Sequence, residues 1–201
     1  MSERLVVIGG TAAGLSAASK AKRLKPDLDI KVFEKSGYIS YGACGLPYFV
    51  GDMIEEPDDL VSLTVDQMTN KRNIPTKIHR EVTAIDRAQK QVTVKDLDTD
   101  QTEVYPYDKL VIATGARPIR PEIPGVDAEG VYYLRTVEDG IRLKQKVKAE
   151  GKQTAAIIGG GFIGLEVAEE MTFAGIEVHV YEAMPRLLPF LEESFSEMIL
   201  D

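Results

Sequence analysis

The chain repeats a pattern of strand, turn, helix and strand twice, and this repeat restricts its fold more than any other feature. In the first copy, an apolar strand at 5–8 leads into the glycine-rich turn 9–14 and a helical stretch. A second strand then ends on Glu34, about twenty residues after Gly14. Glycines let the backbone approach a pyrophosphate, the start of the helix offers unpaired N–H groups, and the acidic side chain accepts hydrogen bonds from ribose hydroxyls. The first copy therefore predicts a dinucleotide site formed by Gly9, Gly10, Thr11, Ala12, Ala13, Gly14, Glu34 and Lys35.

The second copy has all three glycines of the motif, whereas the first has Thr11 in place of the middle one. It predicts a further nucleotide site formed by Gly159, Gly161, Phe162, Ile163, Gly164 and Glu182. A carboxylate at Glu182 favours NADH over NADPH, because it binds a 2′-hydroxyl and repels a 2′-phosphate. The nearby Arg186 moderates this preference. The alternative is two ordinary strand-turn-helix units whose glycines serve turn geometry only.

An apolar run at 107–112 lies between the two copies and predicts a buried strand. It ends on Ala113, Thr114 and Gly115. A strand ending in Ala-Thr-Gly, placed between two nucleotide fingerprints, resembles the strand that returns to FAD in pyridine nucleotide-disulfide oxidoreductases. The resemblance implies an α/β fold with two Rossmann-like domains of the glutathione-reductase type, the second of them truncated. A small antiparallel meander is expected around 81–107.

Cys44 is the only cysteine of the chain. Family members usually carry two cysteines five positions apart, but Ile39 and Phe49 occupy those positions here. The segment 40–48 is similar to coenzyme A-disulfide reductases and their single-cysteine relatives. This similarity implies that Cys44 is the catalytic thiol, that FAD binds the first unit and NADH the second, and that the parent enzyme is a homodimer. A helix beginning near residue 45 would favour the thiolate.

Ser16, Lys20 and Arg23 share one face of the first helix, at i, i+4 and i+7. They resemble family positions that hold the nucleotide end of coenzyme A, and Ser40 resembles a further contact. Cationic groups there can bind phosphates, although a solvated helix face is the alternative. The resemblance also implies FAD contacts at Arg135 and through the backbone of Val82.

Two other activities stay open. NADH oxidases and peroxidases with one redox cysteine use a sulfenic acid, but the histidine they commonly place in the first turn corresponds to Ala12. Disulfide reduction is therefore favoured, with coenzyme A disulfide, a related small disulfide or a polysulfide as the acceptor. In the fragment alternative, the chain is a non-catalytic nucleotide-binding module.

Composition fits a cytoplasmic enzyme. The 201 residues carry a net charge of −8, which disfavours nucleic-acid binding. No apolar run reaches the roughly 18 residues of a membrane span, the start lacks a signal-peptide pattern, and a single cysteine suits a reducing compartment. No cluster of cysteine and histidine indicates a metal site.

Three segments are expected along the chain. Residues 1–118 form the first part of an FAD domain, 119–152 a proline-rich linker with a connecting helix, and 153–201 the first βαβ unit of an NAD domain. Because the last residues read as the start of a helix, the chain is expected to be an N-terminal fragment. Such a fragment should bind FAD weakly and lack turnover.

Overall fold

A computed structural model describes residues 2–149 and 154–200. The chain divides into two compact units, Met1–Gly42 with Val61–Ile119 and Ala43–Leu60 with Arg120–Asp201. The break at 119 lies beside the expected boundary at 118, whereas the expected boundary between 152 and 153 lies outside the described residues. Residues 43–60 belong to the second unit, although the sequence placed them in the first segment.

The first unit is built on a parallel sheet of four strands. Its elements are β1 (Arg4–Ile8), α1 (Ala12–Leu24), β2 (Asp29–Phe33), β3 (Thr76–Lys77), β4 (Arg80–Asp86), β5 (Gln91–Asp96), β6 (Thr102–Pro106) and β7 (Lys109–Ile112). The sheet order is β3-β2-β1-β7, so β1 lies between β2 and β7. The chain leaves β1 in one direction and later returns on its other side, which is the arrangement that opens a ligand crevice at the carboxyl ends of the strands.

Both faces of β1 are covered, because successive residues of a strand point to opposite sides. Leu5 and Val7 pack with α1 residues in one core cluster. Val6 and Ile8 pack with Val92, Val94 and other residues in a second cluster on the opposite face. All four strand residues are buried, which explains why β1 reads as an uninterrupted apolar run.

Strands β4, β5 and β6 form the antiparallel meander that the sequence predicts. The turn between β5 and β6 includes Asp100, which has φ +62°. The predicted burial of the later apolar run is met in part, because Tyr107 is buried and Leu110 and Val111 are half-buried, whereas Ile112 is exposed. β7 lies at the edge of the described sheet and pairs with β1 alone, so Ile112 is 62% exposed.

The second unit contains α2 (Leu46–Val50), α3 (Val137–Val147), β8 (Thr154–Ile158), α4 (Phe162–Phe173), β9 (Glu177–Tyr181) and α5 (Glu193–Leu200). Strands β8 and β9 are parallel, as the second copy of the repeat predicts. The start of α3 is fixed by a capping box between Thr136 and Asp139. Val50, Leu143, Val167, Met171 and Ile176 form the core of this unit.

Short α2 lies against α3 and α4. Gly140 permits the close approach to α3, since a Cβ there would come within 3.1 Å of Phe49 Cδ1. This packing is the reason that residues 43–60 belong to the second unit. Within residues 2–149 and 154–200, no helix has the length and apolar character needed to cross a membrane.

Candidate functional site

The first glycine turn lies where β1 and β7 end side by side. Gly9 has φ +106°, and a Cβ at this position would lie 2.1 Å from the carbonyl oxygen of Ala113. Gly14 is equally constrained, since its Cβ would lie 1.9 Å from Gly9 O. The Ala113 N–H donates to Ile8 O at 2.8 Å. The structure thus brings the predicted turn and the predicted Ala-Thr-Gly segment together, at the crevice where the strand order reverses.

Glu34 is anchored beneath this turn. One carboxylate oxygen accepts the Gly10 N–H at 2.7 Å, and the other accepts the Ser36 N–H at 2.9 Å. The residue is buried, and each carboxylate oxygen keeps a second lone pair for a ligand hydroxyl. Among the other predicted contacts, Lys35, Thr114 and Gly115 are exposed, whereas Val82 is half-buried.

Both fingerprint helices begin without a side-chain cap. Thr11 precedes α1 and Gly161 precedes α4, and neither makes a capping hydrogen bond. α3 differs, because its capping box satisfies its first N–H groups internally. The free N–H groups at the start of each helix can donate to the pyrophosphate of a dinucleotide, and the neighbouring glycines have no side chain to keep the phosphates away. The residues of both turns therefore fit the cofactors that the sequence predicts.

The second turn repeats the geometry of the first. Gly159 has φ +108° and donates its N–H to Tyr181 O at 2.8 Å. The carboxylate of Glu182 accepts the N–H of Gly160 at 2.7 Å and of Met184 at 2.8 Å. The bonds from Met184 and then Gly160 lower the pKa of Glu182 below its ordinary value. The side chain therefore stays ionised at neutral pH.

A loop after β9 covers part of this second turn. Leu187 approaches Gly160, and the ring of Phe190 lies 5.4 Å from the ring of Phe162, centroid to centroid. Phe162 and Ile163 are exposed. The Arg186 guanidinium donates to Pro189 O at 3.2 Å and to Leu191 O at 3.1 Å, so its own loop engages this charge.

Cys44 is exposed and lies in a 3₁₀ turn, Ala43–Gly45, directly before α2. The helix predicted to follow the cysteine is thus present, although it has only five residues. Gly45 fits tightly against its surroundings, since a Cβ there would lie 2.6 Å from Leu60 Cδ2 and 3.3 Å from Ile54 Cδ1. The turn that carries the exposed thiol is therefore packed against Leu60 and Ile54.

The predicted substrate residues of α1 share one accessible face. Ser16, Lys20 and Arg23 are all exposed, and their side chains make no hydrogen bond or ion pair with the described residues. Ser40 is partly buried and has φ +49°. Its N–H donates to Gly10 O at 2.9 Å, which ties this segment to the first turn.

Arg135, a predicted FAD contact, lies in the second unit and is half-buried. Its backbone N–H donates to Asp139, within the start of α3.

Sequence reasoning missed Lys144, a buried lysine on α3. The helical pattern could have indicated its burial, because Lys144 falls on the same face of the helix as Val137 and Gly140, which are apolar or small. Within 2–149 and 154–200 no three His, Cys, Asp or Glu side chains are grouped so as to hold a metal ion.

Two glycine turns at the ends of parallel strands, each above an anchored glutamate, define a protein with two dinucleotide-binding units. The family model for pyridine nucleotide-disulphide oxidoreductases matches residues 3–201. The chain therefore belongs to the pyridine nucleotide-disulphide oxidoreductase family, and the predictions of family and of fold class are confirmed. Members of this family use FAD and NAD(P)H.

Similar proteins carry three kinds of name. An NADH oxidase from Methanocaldococcus jannaschii is 37% identical over 198 residues, which make up 98% of this chain and 44% of the relative. A coenzyme A disulfide reductase from Staphylococcus haemolyticus is 31% identical over 198 residues, with the same two shares. The structure of an NAD-dependent persulfide reductase from A. fulgidus matches with a TM-score of 0.91 and 40% identity, covering 98% of this chain and 36% of that one. The chain thus spans less than half the length of these relatives.

Proposed function

We propose that the whole protein is an FAD-dependent NADH:disulfide oxidoreductase that reduces coenzyme A disulfide, or a related small disulfide or polysulfide, through Cys44. The observation that carries this proposal is the exposed thiol on a packed turn, in a chain with no second cysteine. A buried thiol is usually a structural residue. An exposed thiol with no cysteine partner within these 201 residues is able to exchange with the sulfur of a small disulfide.

The glycine turns and their glutamates are the basis for assigning one nucleotide to each unit. FAD is placed on the first unit, where Gly9, Glu34 and Ala113 meet, and NADH on the second, where Glu182 stays ionised. An ionised carboxylate disfavours a 2′-phosphate. Arg186, the nearby cation that moderates this preference, donates to two carbonyl oxygens of its own loop. NADH is therefore preferred over NADPH. Bound FAD would relay the two electrons of a hydride from NADH to sulfur.

Cys44 performs the sulfur chemistry in two steps. Its thiolate attacks one sulfur of the substrate, which breaks the S–S bond, forms a mixed disulfide and releases the first thiol after protonation. Two electrons that originate from NADH then break the mixed disulfide, which releases the second thiol and restores the Cys44 thiolate. In sum, NADH, one proton and one disulfide give NAD⁺ and two thiols.

Substrate selection is assigned to the exposed face of α1. Lys20 and Arg23 offer two cationic groups without protein partners among the described residues, and Ser16 precedes them on the same face. Cations so placed suit the phosphates of coenzyme A. Ser40, held by Gly10, is assigned as a further substrate contact. We also place the enzyme in the cytoplasm and expect it to act as a homodimer.

An NADH oxidase or peroxidase is the second candidate, favoured by the M. jannaschii relative. In that case Cys44 alternates between thiolate and sulfenic acid, and oxygen or peroxide accepts the electrons.

An acceptor panel separates these candidates. The full gene product is reduced with NADH without oxygen and then offered coenzyme A disulfide, polysulfide, peroxide or oxygen. We expect the disulfide or polysulfide to be turned over fastest, and faster peroxide or oxygen turnover would establish the second candidate. Cys44→Ser should abolish disulfide turnover and keep flavin reduction by NADH. Ala43→Ser is the matched control, because it adds a hydroxyl to the same turn and keeps the thiol.

A further inference from the structure

Lys144 is a buried lysine whose charge is fully engaged. The residue is 7% exposed. Its Nζ donates to the carbonyl oxygens of Ile54 and Glu55, each at 2.7 Å, and lies 2.8 Å from Asp52 Oδ1. The same atom lies 4.2 Å from the centroid of the Phe49 ring. An ammonium group is rarely buried without partners, and these partners all come from one short segment, residues 49–55.

The segment that Lys144 holds begins in the last turn of α2, the helix that follows Cys44, and continues to residue 55. It includes Asp52, which has φ +69°. This left-handed backbone conformation costs free energy for residues other than glycine. Lys148 also contacts Asp52, at 2.7 Å, but its side chain is 52% exposed and it makes neither of the two carbonyl contacts. Lys144 is therefore the residue that fixes the path of the backbone here, whereas Lys148 adds an exposed ion pair.

Ile54 connects this segment to the cysteine turn. Its carbonyl accepts from Lys144, and its N–H donates to Tyr48 O at 3.1 Å. Its Cδ1 atom lies 3.3 Å from the place a Cβ would take on Gly45, the residue after Cys44. The turn that carries the thiol thus rests on the residue whose backbone Lys144 holds.

We propose that Lys144 is a positioning residue for Cys44, acting through Ile54 and Gly45 to hold the thiol in the orientation that disulfide exchange requires. The proposal rests on the proposed catalytic role of Cys44. The proposal gives α3, a helix outside both nucleotide fingerprints, a part in the sulfur chemistry. Lys144 contributes through its three hydrogen-bonding contacts to residues 52–55, and it does not touch the substrate.

The test compares Lys144→Met with Lys148→Met in the full gene product. Lys144→Met keeps most of the aliphatic volume and removes the donors. We expect kcat for disulfide reduction, expressed per bound FAD, to fall at least tenfold in Lys144→Met, with the rate of flavin reduction by NADH and the KM for NADH unchanged. Lys148→Met should stay within about twofold of the unchanged protein. Since kcat is expressed per bound FAD, a loss of stability alone would not lower it.

A second readout follows the thiol itself. The rate at which iodoacetamide alkylates Cys44 should rise at least threefold in Lys144→Met, because a loosened turn gives the reagent a freer approach. Lys144→Arg, which restores donors, should recover part of kcat. Should Lys144→Met fail to fold, Ile54→Val takes its place, since it removes only the methyl that faces Gly45, and the same two changes are expected.

Two results separate this inference from the proposed function. Disulfide turnover that survives Cys44→Ser would overturn the proposed function. Loss of turnover in Cys44→Ser, combined with unchanged kcat and alkylation in Lys144→Met or Ile54→Val, would overturn the positioning role of Lys144 alone.

Discussion

The two glycine fingerprints share one backbone geometry and differ in their surroundings. Gly9 and Gly159 have nearly the same φ, +106° and +108°, and each donates its N–H to the second strand of its unit at 2.8 Å. A Cβ on Gly9 would meet Ala113 O at 2.1 Å, whereas a Cβ on Gly159 would meet no described atom within 4 Å. The motif therefore sets the turn in both units. Within the described residues, the first turn is also enclosed by the end of β7, through Ala113.

Replacing these two glycines by alanine should give the largest difference. Both variants carry the strain of a left-handed backbone, which costs about 1–2 kcal/mol. Gly9→Ala adds a clash with backbone atoms of the Ala113 segment, so we expect a total loss of at least about 3 kcal/mol in the free energy of unfolding, together with loss of bound FAD. Urea denaturation and flavin absorbance measure both effects. Equal destabilisation of the two variants would show that the contact with Ala113 is not limiting.

The helices that follow the fingerprints also differ, in charge. Lys20 on α1 is exposed and cationic, whereas the equivalent residue of α4, Glu170, is acidic and 3% exposed. Only the first helix therefore suits a phosphorylated substrate, which is consistent with placing coenzyme A there.

Removing the α1 cations should have an intermediate effect. We expect Lys20→Ala and Arg23→Ala each to raise the KM for coenzyme A disulfide about tenfold, because each loses a charge-assisted contact worth about 1.5 kcal/mol. The KM for NADH should not change. Arg87→Ala, an exposed arginine in the same unit, is the control. An unchanged KM for the disulfide in both variants would identify this helix face as solvated surface.

The anchoring glutamates of the two units accept backbone N–H groups in the same way. In the second unit, the Met184 and Gly160 N–H groups lower the pKa of Glu182. The ionised form accepts these bonds. Its contribution is therefore present above the ordinary pKa of 4.5 and is lost as the pH falls through the lower folded value.

The smallest expected effect is a local loosening of the second turn in acid. Amide hydrogen exchange at Gly160 and Met184, corrected for intrinsic rates, should accelerate as the pH falls below the ordinary pKa of 4.5 and through the lower folded value. Glu182→Gln should remove this pH dependence, since an amide does not titrate in this range. Its single oxygen accepts only one of the two bonds that the carboxylate oxygens accept from Gly160 and Met184, so exchange should be faster than in the unchanged protein at neutral pH but independent of pH. Acceleration that persists in Glu182→Gln would assign the loosening to other groups.

Local patterns predicted most of the elements. The apolar run at β1, the glycines of both turns and the alternation in the meander each fix a structure through interactions close in sequence, and the fold has all of them. The capping residue Thr136 likewise marks the start of α3. The positions of the two glutamates under their turns also follow from motif spacing.

The packing between elements that are distant in sequence could not be predicted from local patterns. Nothing local indicates that α2 would pack on α3 and α4. Lys144 shows the limit most clearly. A lysine is ordinarily read as a solvated residue, and only the tertiary arrangement brings three oxygen partners around its charge.

The most direct test of the account is the mass of the intact full gene product during one catalytic cycle. Without oxygen, coenzyme A disulfide should add a single coenzyme A moiety to Cys44, and NADH should then remove it. The Cys44→Ser variant should gain no mass, and Ala43→Ser should behave as the unchanged protein does. Turnover of the disulfide with no adduct at Cys44 would contradict the account.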